Sequence, residues 1–269
     1  MERNAIGIFD SGVGGLSVFR EVRKRLPDED LLYVADSGHA PYGDRSGEFI
    51  RARSETIVEF FLDQGTKAIV IACNTASAVA VQALRSRFPV AIVAIEPAVK
   101  PAIGITRSGV IGILATRQTV ESEKLARLMN QFGTGVRILV QPCPGLAELV
   151  ERGELSGAAT EALVSQYVTP LIEQGADTIV LGCTHYPFLA ETIRKIAGPE
   201  VNVLDPAAAV ARQLHHRLET AQLLSSKPKV GTERFWTSGD PARVRSVIAQ
   251  LWGKDVPMLS LPTEFASIA

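Results

Sequence analysis

The chain carries almost no net charge. Its 269 residues include 28 lysines and arginines against 29 aspartates and glutamates, which gives a formal net charge of −1 at pH 7. A protein that holds nucleic acid or an anionic membrane surface through its charge needs a basic excess. The balance therefore predicts that neither nucleic acid nor a membrane is a partner.

Long apolar runs and abundant cysteines are also missing. No stretch approaches the roughly 20 apolar residues of a membrane-spanning helix, and residues 1–9 lack the basic and apolar regions of a signal peptide. The three cysteines are Cys73, Cys143 and Cys183. An odd, small number of cysteines without a secretion signal favours free thiols over a disulfide framework. We therefore expect a cytoplasmic protein.

Two segments with the same pattern dominate what is present. Residues 68–77 read AIVIACNTAS and residues 178–187 read TIVLGCTHYP. In each segment a β-branched apolar run predicts a buried strand that ends at a cysteine, and residues 77–88 then read as a helix. Because α/β proteins place ligands at the carboxyl edge of a parallel sheet, the pattern predicts one site with two reactive sulfurs.

The apolar segments recur at a nearly constant spacing. Gly7 corresponds to Gly112, an offset of 112 − 7 = 105 residues, and Cys73 corresponds to Cys183, an offset of 183 − 73 = 110 residues. Such a repeat predicts two similar α/β halves with mostly parallel sheets. The first predicted domain comprises residues 1–97 and 206–269 and holds Asp10 and Cys73; its carboxyl-terminal segment packs back on the first half. The second predicted domain comprises residues 98–205 and holds Cys183 and His185.

Polar residues follow the other predicted strands as well. The first strand ends at Asp10, before the glycine-rich turn SGVGG, where backbone N–H groups and a helix start favour an anion. The glycine spacing fits the dinucleotide fingerprint poorly, so a tight turn without a ligand is an equal alternative. Asp10 is the stronger candidate, because an acidic residue at a strand's carboxyl end faces the ligand edge. The second strand ends at Asp36, before a long polar loop.

Paired thiols can invert a stereocentre without a metal or an organic cofactor. A free thiol titrates near pH ~8.5, and a helix amino terminus or a neighbouring cation raises its thiolate fraction. One thiolate removes a proton from one face of a carbon, and a second, protonated thiol delivers one to the opposite face. Asn74, Thr75, Thr184 and His185 follow the cysteines directly and would hold the carboxylate or amino group of a small substrate.

Other interpretations of the cysteines remain open. In the first alternative, both thiols are buried core residues without a chemical role, which is the common fate of a free cysteine. Alternatively, Cys73, Cys183 and His185 bind zinc, although their spacing matches no standard zinc signature. A third alternative is a Cys–His hydrolase, which leaves one thiol without a role. For the whole chain, the alternative to an enzyme is a small-molecule binding protein with two α/β lobes.

Taken together, the motifs resemble those of glutamate racemases, within the cofactor-independent aspartate/glutamate racemase superfamily. The resemblance covers residues 6 to about 239 and rests on FDSGVGG at 9–15, APYG at 40–43, ACNTA at 72–76, GCTHYP at 182–187 and TSGD at 237–240. It implies two α/β domains that face each other across a central cleft with pseudo-twofold symmetry. It also implies interconversion of L- and D-glutamate, supplying D-glutamate for peptidoglycan, cell-wall biogenesis and cell shape.

The resemblance implies a role for each motif residue. Cys73 and Cys183 are the paired base and acid, assisted by Asp10 beside the first thiol and His185 beside the second. Asp36 and Glu151 are supporting carboxylates. The implied substrate-binding residues are Asp10, Ser11, Tyr42, Gly43, Asn74, Thr75, Thr119, Thr184 and His185.

The resemblance also bears on cofactors, assembly and substrate. It implies that no metal and no organic cofactor is needed, and that the chain forms a homodimer. The sequence departs from the usual pattern at residues 37–39 and 145–147, away from the two cysteines. Within the superfamily, a racemase of aspartate or another amino acid is the alternative to one of glutamate.

Overall fold

Two parallel sheets form the framework of the protein. The computed structural model describes residues 4–226 and 230–266. The strands are, in chain order, β1 (Ala5–Asp10), β2 (Asp30–Ala35), β3 (Thr66–Ile71), β4 (Ala91–Ala94), β5 (Val110–Ala115), β6 (Arg137–Pro142), β7 (Thr178–Leu181), β8 (Asn202–Leu204), β9 (Glu233–Thr237) and β10 (Met258–Ser260).

Helices follow most strands and cover the faces of both sheets. No helix within the described residues is both long enough and apolar enough to cross a bilayer. Short 3₁₀ turns lie at Tyr42–Asp44 and Tyr186–Leu189. The helices are α1 (Leu16–Arg25), α2 (Gly47–Asp63), α3 (Asn74–Val79), α4 (Val81–Arg87), α5 (Val99–Ile105), α6 (Arg117–Val120), α7 (Glu123–Phe132), α8 (Leu146–Glu151), α9 (Ala158–Glu173), α10 (Ala190–Ala197), α11 (Ala207–Thr220), α12 (Pro241–Trp252) and α13 (Thr263–Ala266).

The strand order reproduces the repeat found in the sequence. The six-stranded sheet runs β10-β9-β2-β1-β3-β4, and the four-stranded sheet runs β6-β5-β7-β8. The order β2-β1-β3-β4 therefore matches β6-β5-β7-β8, with Gly7 and Gly112 on the two corresponding central strands. Every strand pairing among the described residues is parallel. The predicted fold class, α/β with two parallel sheets, is confirmed.

The carboxyl-terminal part of the chain returns to the first sheet, where β9 pairs with β2. We propose domain boundaries after residues 97 and 205, and the division of strands between the sheets supports them. Residues 1–3, 227–229 and 267–269 of the proposed first domain lie outside the described residues.

A single apolar cluster joins the inner faces of the two sheets. Ile6 and Ile8 of β1 share it with Leu114 of β5 and Leu181 of β7. The alternate residue of β1, Phe9, points into a separate cluster under α2. Since fully burying one such side chain stabilises a fold by roughly 1.5–3 kcal/mol, the shared cluster fixes the two sheets relative to each other.

The helix after Cys73 begins earlier than the sequence predicted. It starts at Asn74 rather than at residue 77, and Ala80 separates it from α4. Cys73 is its N-cap residue, because the Cys73 sulfur accepts a hydrogen bond from the Ala76 N–H at 3.4 Å. The expectation failed because Asn and Thr have low helix propensity, whereas here they form the first turn.

Candidate active site

The carboxyl edges of the two sheets meet across a narrow cleft. The Thr184 hydroxyl, beyond β7, donates to Asp10 Oδ1 at the end of β1 at 3.1 Å. The Ser17 hydroxyl in α1 donates to the Thr184 carbonyl at 3.0 Å. Thr75 in α3 and Thr116 after β5 lie 2.9 Å apart, hydroxyl to hydroxyl. The strand ends that carry the predicted site residues therefore lie side by side.

A small cavity lies between these edges. Both predicted catalytic thiols and most of the predicted substrate-binding residues line it. The lining residues are Ser11, Pro41, Tyr42, Gly43, Cys73, Asn74, Thr75, Thr116, Ala147, Cys183, Thr184 and His185.

The thiol of Cys73 is in an environment that keeps it protonated. Its side chain is 4% exposed. Burial raises the pKa of the Cys73 thiol well above its usual range, and the negative charge of Asp10 raises it further, although hydrogen bonds with Ala76 and Ser11 act in the opposite direction. The Cys73 thiol lies 3.6 Å from the Ser11 hydroxyl. In this structure Cys73 is thus suited to donate a proton.

The thiol of Cys183 has a cationic neighbour instead. Its sulfur lies 3.7 Å from Nδ1 of His185, whose Nε2 lies 2.7 Å from Glu151 Oε1. Burial by itself lowers the pKa of His185, but the hydrogen bonds to Cys183 and Glu151 and the nearby negative charges raise that pKa well above its usual value. A protonated His185 places positive charge beside Cys183, whereas Asp10 places negative charge near Cys73, so the two thiols have opposite electrostatic surroundings.

The glycine-rich turn after β1 binds carboxylates of the protein itself. The N–H groups of Gly12 and Gly15 donate to Asp10 Oδ2, each at 3.1 Å. The Val13 N–H donates to Glu151 Oε1 at 2.7 Å. The turn predicted as an anion site is therefore occupied by side chains rather than left open for a nucleotide.

The glycines of this turn permit close approach by the second sheet. A Cβ atom on Gly14 would lie 2.3 Å from Nδ1 of His185, and one on Gly12 would lie 1.8 Å from Glu151 Oε1. Both separations are far below van der Waals contact, so the absence of a side chain is what lets His185 and Glu151 reach the turn.

Asp10 lies directly behind the cavity wall and is fully buried. Burial raises the pKa of Asp10, as does the negative charge of Glu151, while the charge of His185 and the two glycine N–H groups lower it; the net result is a raised pKa. Its carboxyl group is therefore close to both a cation and a thiol, and the catalytic role implied by the resemblance stays a prediction.

The remaining predicted site residues, Asp36, Glu151 and Thr119, do not line the cavity but contact residues that do. Asp36 accepts a hydrogen bond from the Tyr42 hydroxyl at 2.5 Å, so this hydroxyl is directed away from the cavity. Glu151 holds His185, as described above. Thr119, which is 2% exposed, lies 3.0 Å from the Thr116 hydroxyl and 3.4 Å from that of Thr75.

Sequence reasoning missed Thr116, which both lines the cavity and joins this threonine cluster. A signal for it was present in the repeat. Ser11 follows β1, and adding the offset of the first strand pair gives 11 + 105 = 116. The hydroxyls of Ser11 and Thr116 thus occupy corresponding positions after the central strands of the two sheets.

Asn74 offers unused hydrogen-bonding capacity to the cavity. It is 4% exposed, and within the part of the chain that the structure describes its amide oxygen and nitrogen have no hydrogen-bond partner. A buried amide without partners costs about 1–3 kcal/mol, which a polar ligand in the cavity would relieve.

The zinc alternative receives no geometric support. Among residues 4–226 and 230–266, no group of three or more His, Cys, Asp and Glu side chains is arranged to hold a metal ion. Cys73, Cys183 and His185 line one cavity but do not form such a cluster.

Known proteins resemble this chain over nearly its whole length. The profile of the family described as Asp/Glu/Hydantoin racemase matches residues 14–214. A glutamate racemase of Pseudomonas aeruginosa is 51% identical over 254 residues, covering 94% of this chain and 96% of that protein. The solved glutamate racemase of Bacillus anthracis has a TM-score of 0.90 at 31% identity, covering 98% of this chain and 99% of that one.

A further solved structure is that of the Escherichia coli glutamate racemase in complex with L-glutamate and the activator UDP-MurNAc-ala. It has a TM-score of 0.82 at 32% identity and covers 96% of this chain and 97% of that one. These similarities cover nearly the whole chain, and the resemblance is thereby confirmed. The chain belongs to the Asp/Glu/hydantoin racemase family.

Proposed function

We propose that the protein interconverts L- and D-glutamate by moving a proton at Cα between two thiols, without a cofactor. The observation that carries this proposal is the pair Cys73 and Cys183, which line one small cavity in opposite electrostatic surroundings. The relatives named glutamate racemases, similar over nearly the full chain, support glutamate over aspartate as the substrate.

The proposed reaction balances with the groups present. The Cys183 thiolate takes the α-proton of L-glutamate, breaking the C–H bond and leaving its electron pair on carbon. The Cys73 thiol then gives its proton to the opposite face, forming the C–H bond of D-glutamate. The enzyme is left with a Cys73 thiolate and a Cys183 thiol, which is the form that accepts D-glutamate and runs the same steps in reverse.

The cavity suits a small anionic substrate held by neutral donors. Its lining residues include no lysine or arginine. We propose that the Asn74 amide and the hydroxyls of Ser11 and Thr75 hold the carboxylates, and that Thr184 also contacts the substrate. His185, with Asp10 behind the cavity wall, would assist the proton transfer. Hydrogen bonds from neutral donors orient an amino acid without the affinity that would slow its release.

Three broader properties come from the resemblance and belong to the same proposal. The product D-glutamate would serve peptidoglycan synthesis, the enzyme would act in the cytoplasm, and the chain would form a homodimer. Sedimentation of the purified protein tests the last of these, since a monomer at working concentration would contradict it.

Stereoinversion of a pure amino acid tests the activity. Circular dichroism of L-glutamate should decay to zero, whereas L-aspartate and other L-amino acids should keep their signal under the same conditions. Dialysis against a chelator and treatment with hydroxylamine should leave the rate unchanged. A rate that is lost by either treatment and restored by zinc or pyridoxal phosphate would contradict the mechanism, and an unchanging glutamate signal would leave the binding protein as the better interpretation.

The two-thiol step has its own test in heavy water. Early D-glutamate formed from L-glutamate should carry deuterium at Cα, because its new proton comes from a solvent-exchanged thiol. Recovered L-glutamate should carry much less. Equal early labelling of both would indicate a single base serving both faces. Cys73→Ala and Cys183→Ala should each lose racemisation, while Cys143→Ala, at a buried thiol that does not line this cavity, should retain it.

A further inference from the structure

A fully buried arginine lies under the wall of the cavity. Arg53, in α2, has 0% side-chain exposure, and so does its partner Asp36. Neither residue lines the cavity. A buried ion pair has a large desolvation cost and is weak evidence for stability, so its position next to a functional loop calls for another explanation.

Asp36 uses both carboxylate oxygens for a network that ends at the cavity wall. Oδ1 lies 2.7 Å from Arg53 Nη2 and 3.1 Å from His39 Nδ1. Oδ2 accepts from Arg53 Nε at 3.1 Å and from the Tyr42 hydroxyl at 2.5 Å. The guanidinium thus fixes the carboxylate in two directions, and the carboxylate fixes Tyr42.

The loop over residues 36–46 is the part of the wall that this network holds. Pro41, Tyr42 and Gly43 of the loop line the cavity. On its far side the loop reaches α6, the short helix that follows β5 of the second sheet, since the Arg45 carbonyl accepts a hydrogen bond from Gln118 Nε2 at 2.8 Å. The loop therefore spans the cleft, and Asp36 is its buried attachment on the side of the first sheet.

The remaining arginine nitrogen is held from the opposite direction. Arg53 Nη1 donates to the Phe265 carbonyl in α13 at 3.1 Å. The guanidinium is therefore fixed between the loop and the carboxyl-terminal helix. A lysine at this position keeps the charge, but its single ammonium cannot span two carboxylate oxygens and a distant carbonyl.

We propose that Arg53 is a positioning residue for substrate binding: through Asp36 it holds the Tyr42–Gly43 wall where it contacts the substrate. This inference rests on the proposed glutamate racemase activity. Since Arg53 touches neither thiol nor substrate, its loss should weaken binding of both enantiomers and leave proton transfer within the bound complex nearly unchanged.

The charge states of the network are consistent with this role. Burial acts to raise the pKa of Asp36, but hydrogen bonds from His39, Arg53 and Tyr42 and the charge of Arg53 bring that pKa below its usual value. Burial and the neighbouring carboxylate raise the pKa of Tyr42. Asp36 is therefore an ionised acceptor and Tyr42 a neutral donor at neutral pH.

The test is the steady-state kinetics of Arg53→Lys in both directions. We expect KM for L- and D-glutamate to rise about tenfold while kcat stays within about threefold of wild type. The matched control is Arg23→Lys. Arg23 is a partly buried arginine that binds Glu233 and several carbonyls at the other end of the first sheet, far from the loop. Its replacement should leave KM unchanged.

Tyr42→Phe gives a second measurement should Arg53→Lys fail to fold. This substitution removes only the hydroxyl that donates a hydrogen bond to Asp36, and KM should rise about threefold or more while kcat stays similar. If Arg53→Lys folds and its KM equals that of the wild type, the inference is overturned. If Arg53→Lys does not fold, a wild-type KM in Tyr42→Phe would overturn it. So would an Arg53→Lys loss confined to kcat. A wild-type protein that does not racemise glutamate would instead overturn the proposed function.

Discussion

Glu151 binds His185 through the same carboxylate oxygen that binds the glycine-rich turn. Oε1 lies 2.7 Å from His185 Nε2 and accepts the Val13 N–H, also at 2.7 Å. Glu151 and His185 follow strands of the second sheet, whereas Val13 follows β1 of the first. A single partly buried carboxylate thus connects the imidazole beside Cys183 to the turn that holds Asp10.

Replacing Glu151 with glutamine should lower the pKa of His185, because the imidazolium loses its charged partner. The raised pKa means that wild-type His185 keeps its proton below pH ~6.5 and loses it only as pH rises through that raised value. In Glu151→Gln the alkaline limb of kcat should move to lower pH, with kcat at pH 8 reduced about tenfold or more. Glu148→Gln on the same helix is the control, and an unmoved limb in Glu151→Gln would contradict the assignment.

Gly14→Ala should impair catalysis through crowding alone. A Cβ 2.3 Å from His185 Nδ1 forces the ring away from Cys183. We expect kcat/KM to fall about 100-fold in both directions equally, since the two enantiomers have equal free energy in water. Gly104→Ala is the matched control, because Gly104 has nothing within 4 Å of an added Cβ. Activity near wild type in a folded Gly14→Ala would show that the ring can move without consequence.

Thiol alkylation should inactivate the enzyme, and glutamate should protect it. Cys73 and Cys183 line the cavity that we assign to the substrate, whereas the Cys143 thiol donates to the Gln141 carbonyl at 3.2 Å outside that cavity. Peptide mapping after partial inactivation by iodoacetamide should therefore find label on Cys73 or Cys183 first, with Cys143 unprotected by glutamate. Inactivation that follows labelling of Cys143 would contradict the site.

Asp36→Asn should lower the free energy of unfolding by about 3–5 kcal/mol at pH 7, because it leaves the Arg53 charge buried without its partner. The lowered pKa of Asp36 sets the pH dependence: its contribution is present above pH ~4 and is lost as pH falls through the folded-state pKa. Urea unfolding from pH 3 to pH 7 should show a smaller loss on acidification in Asp36→Asn than in wild type. If wild type and Asp36→Asn lose the same free energy of unfolding on acidification, the acid-sensitive group is not Asp36.

The sequence predicted the parts of the site that follow strands. Parallel strands of one sheet bring their carboxyl ends to one edge, so Asp10 and Cys73 could be placed together, and the repeat placed Cys183 at the equivalent strand end of the second half. The repeat also predicted two similar α/β halves, and it contained the position of Thr116.

Contacts between distant segments could not be predicted in the same way. The N–H groups of the glycine-rich turn favoured an anion, but nothing local to the turn indicated Glu151, which lies 138 positions from Val13. The Arg53–Asp36 pair was equally hidden, because an arginine in an amphipathic helix usually faces solvent. Tertiary packing decides both contacts.

The order in which the strands enter the two sheets also sets a sequence of events during synthesis. The four-stranded sheet needs nothing beyond β8, which ends at Leu204, whereas β2 must wait for β9, which begins at Glu233. At ~5–20 residues per second, the 232 − 204 = 28 intervening residues take roughly 1.4–5.6 s to translate. Throughout that interval one edge of β2 in the nascent chain is unpaired and open to other strands, so slow translation between these points would favour aggregation.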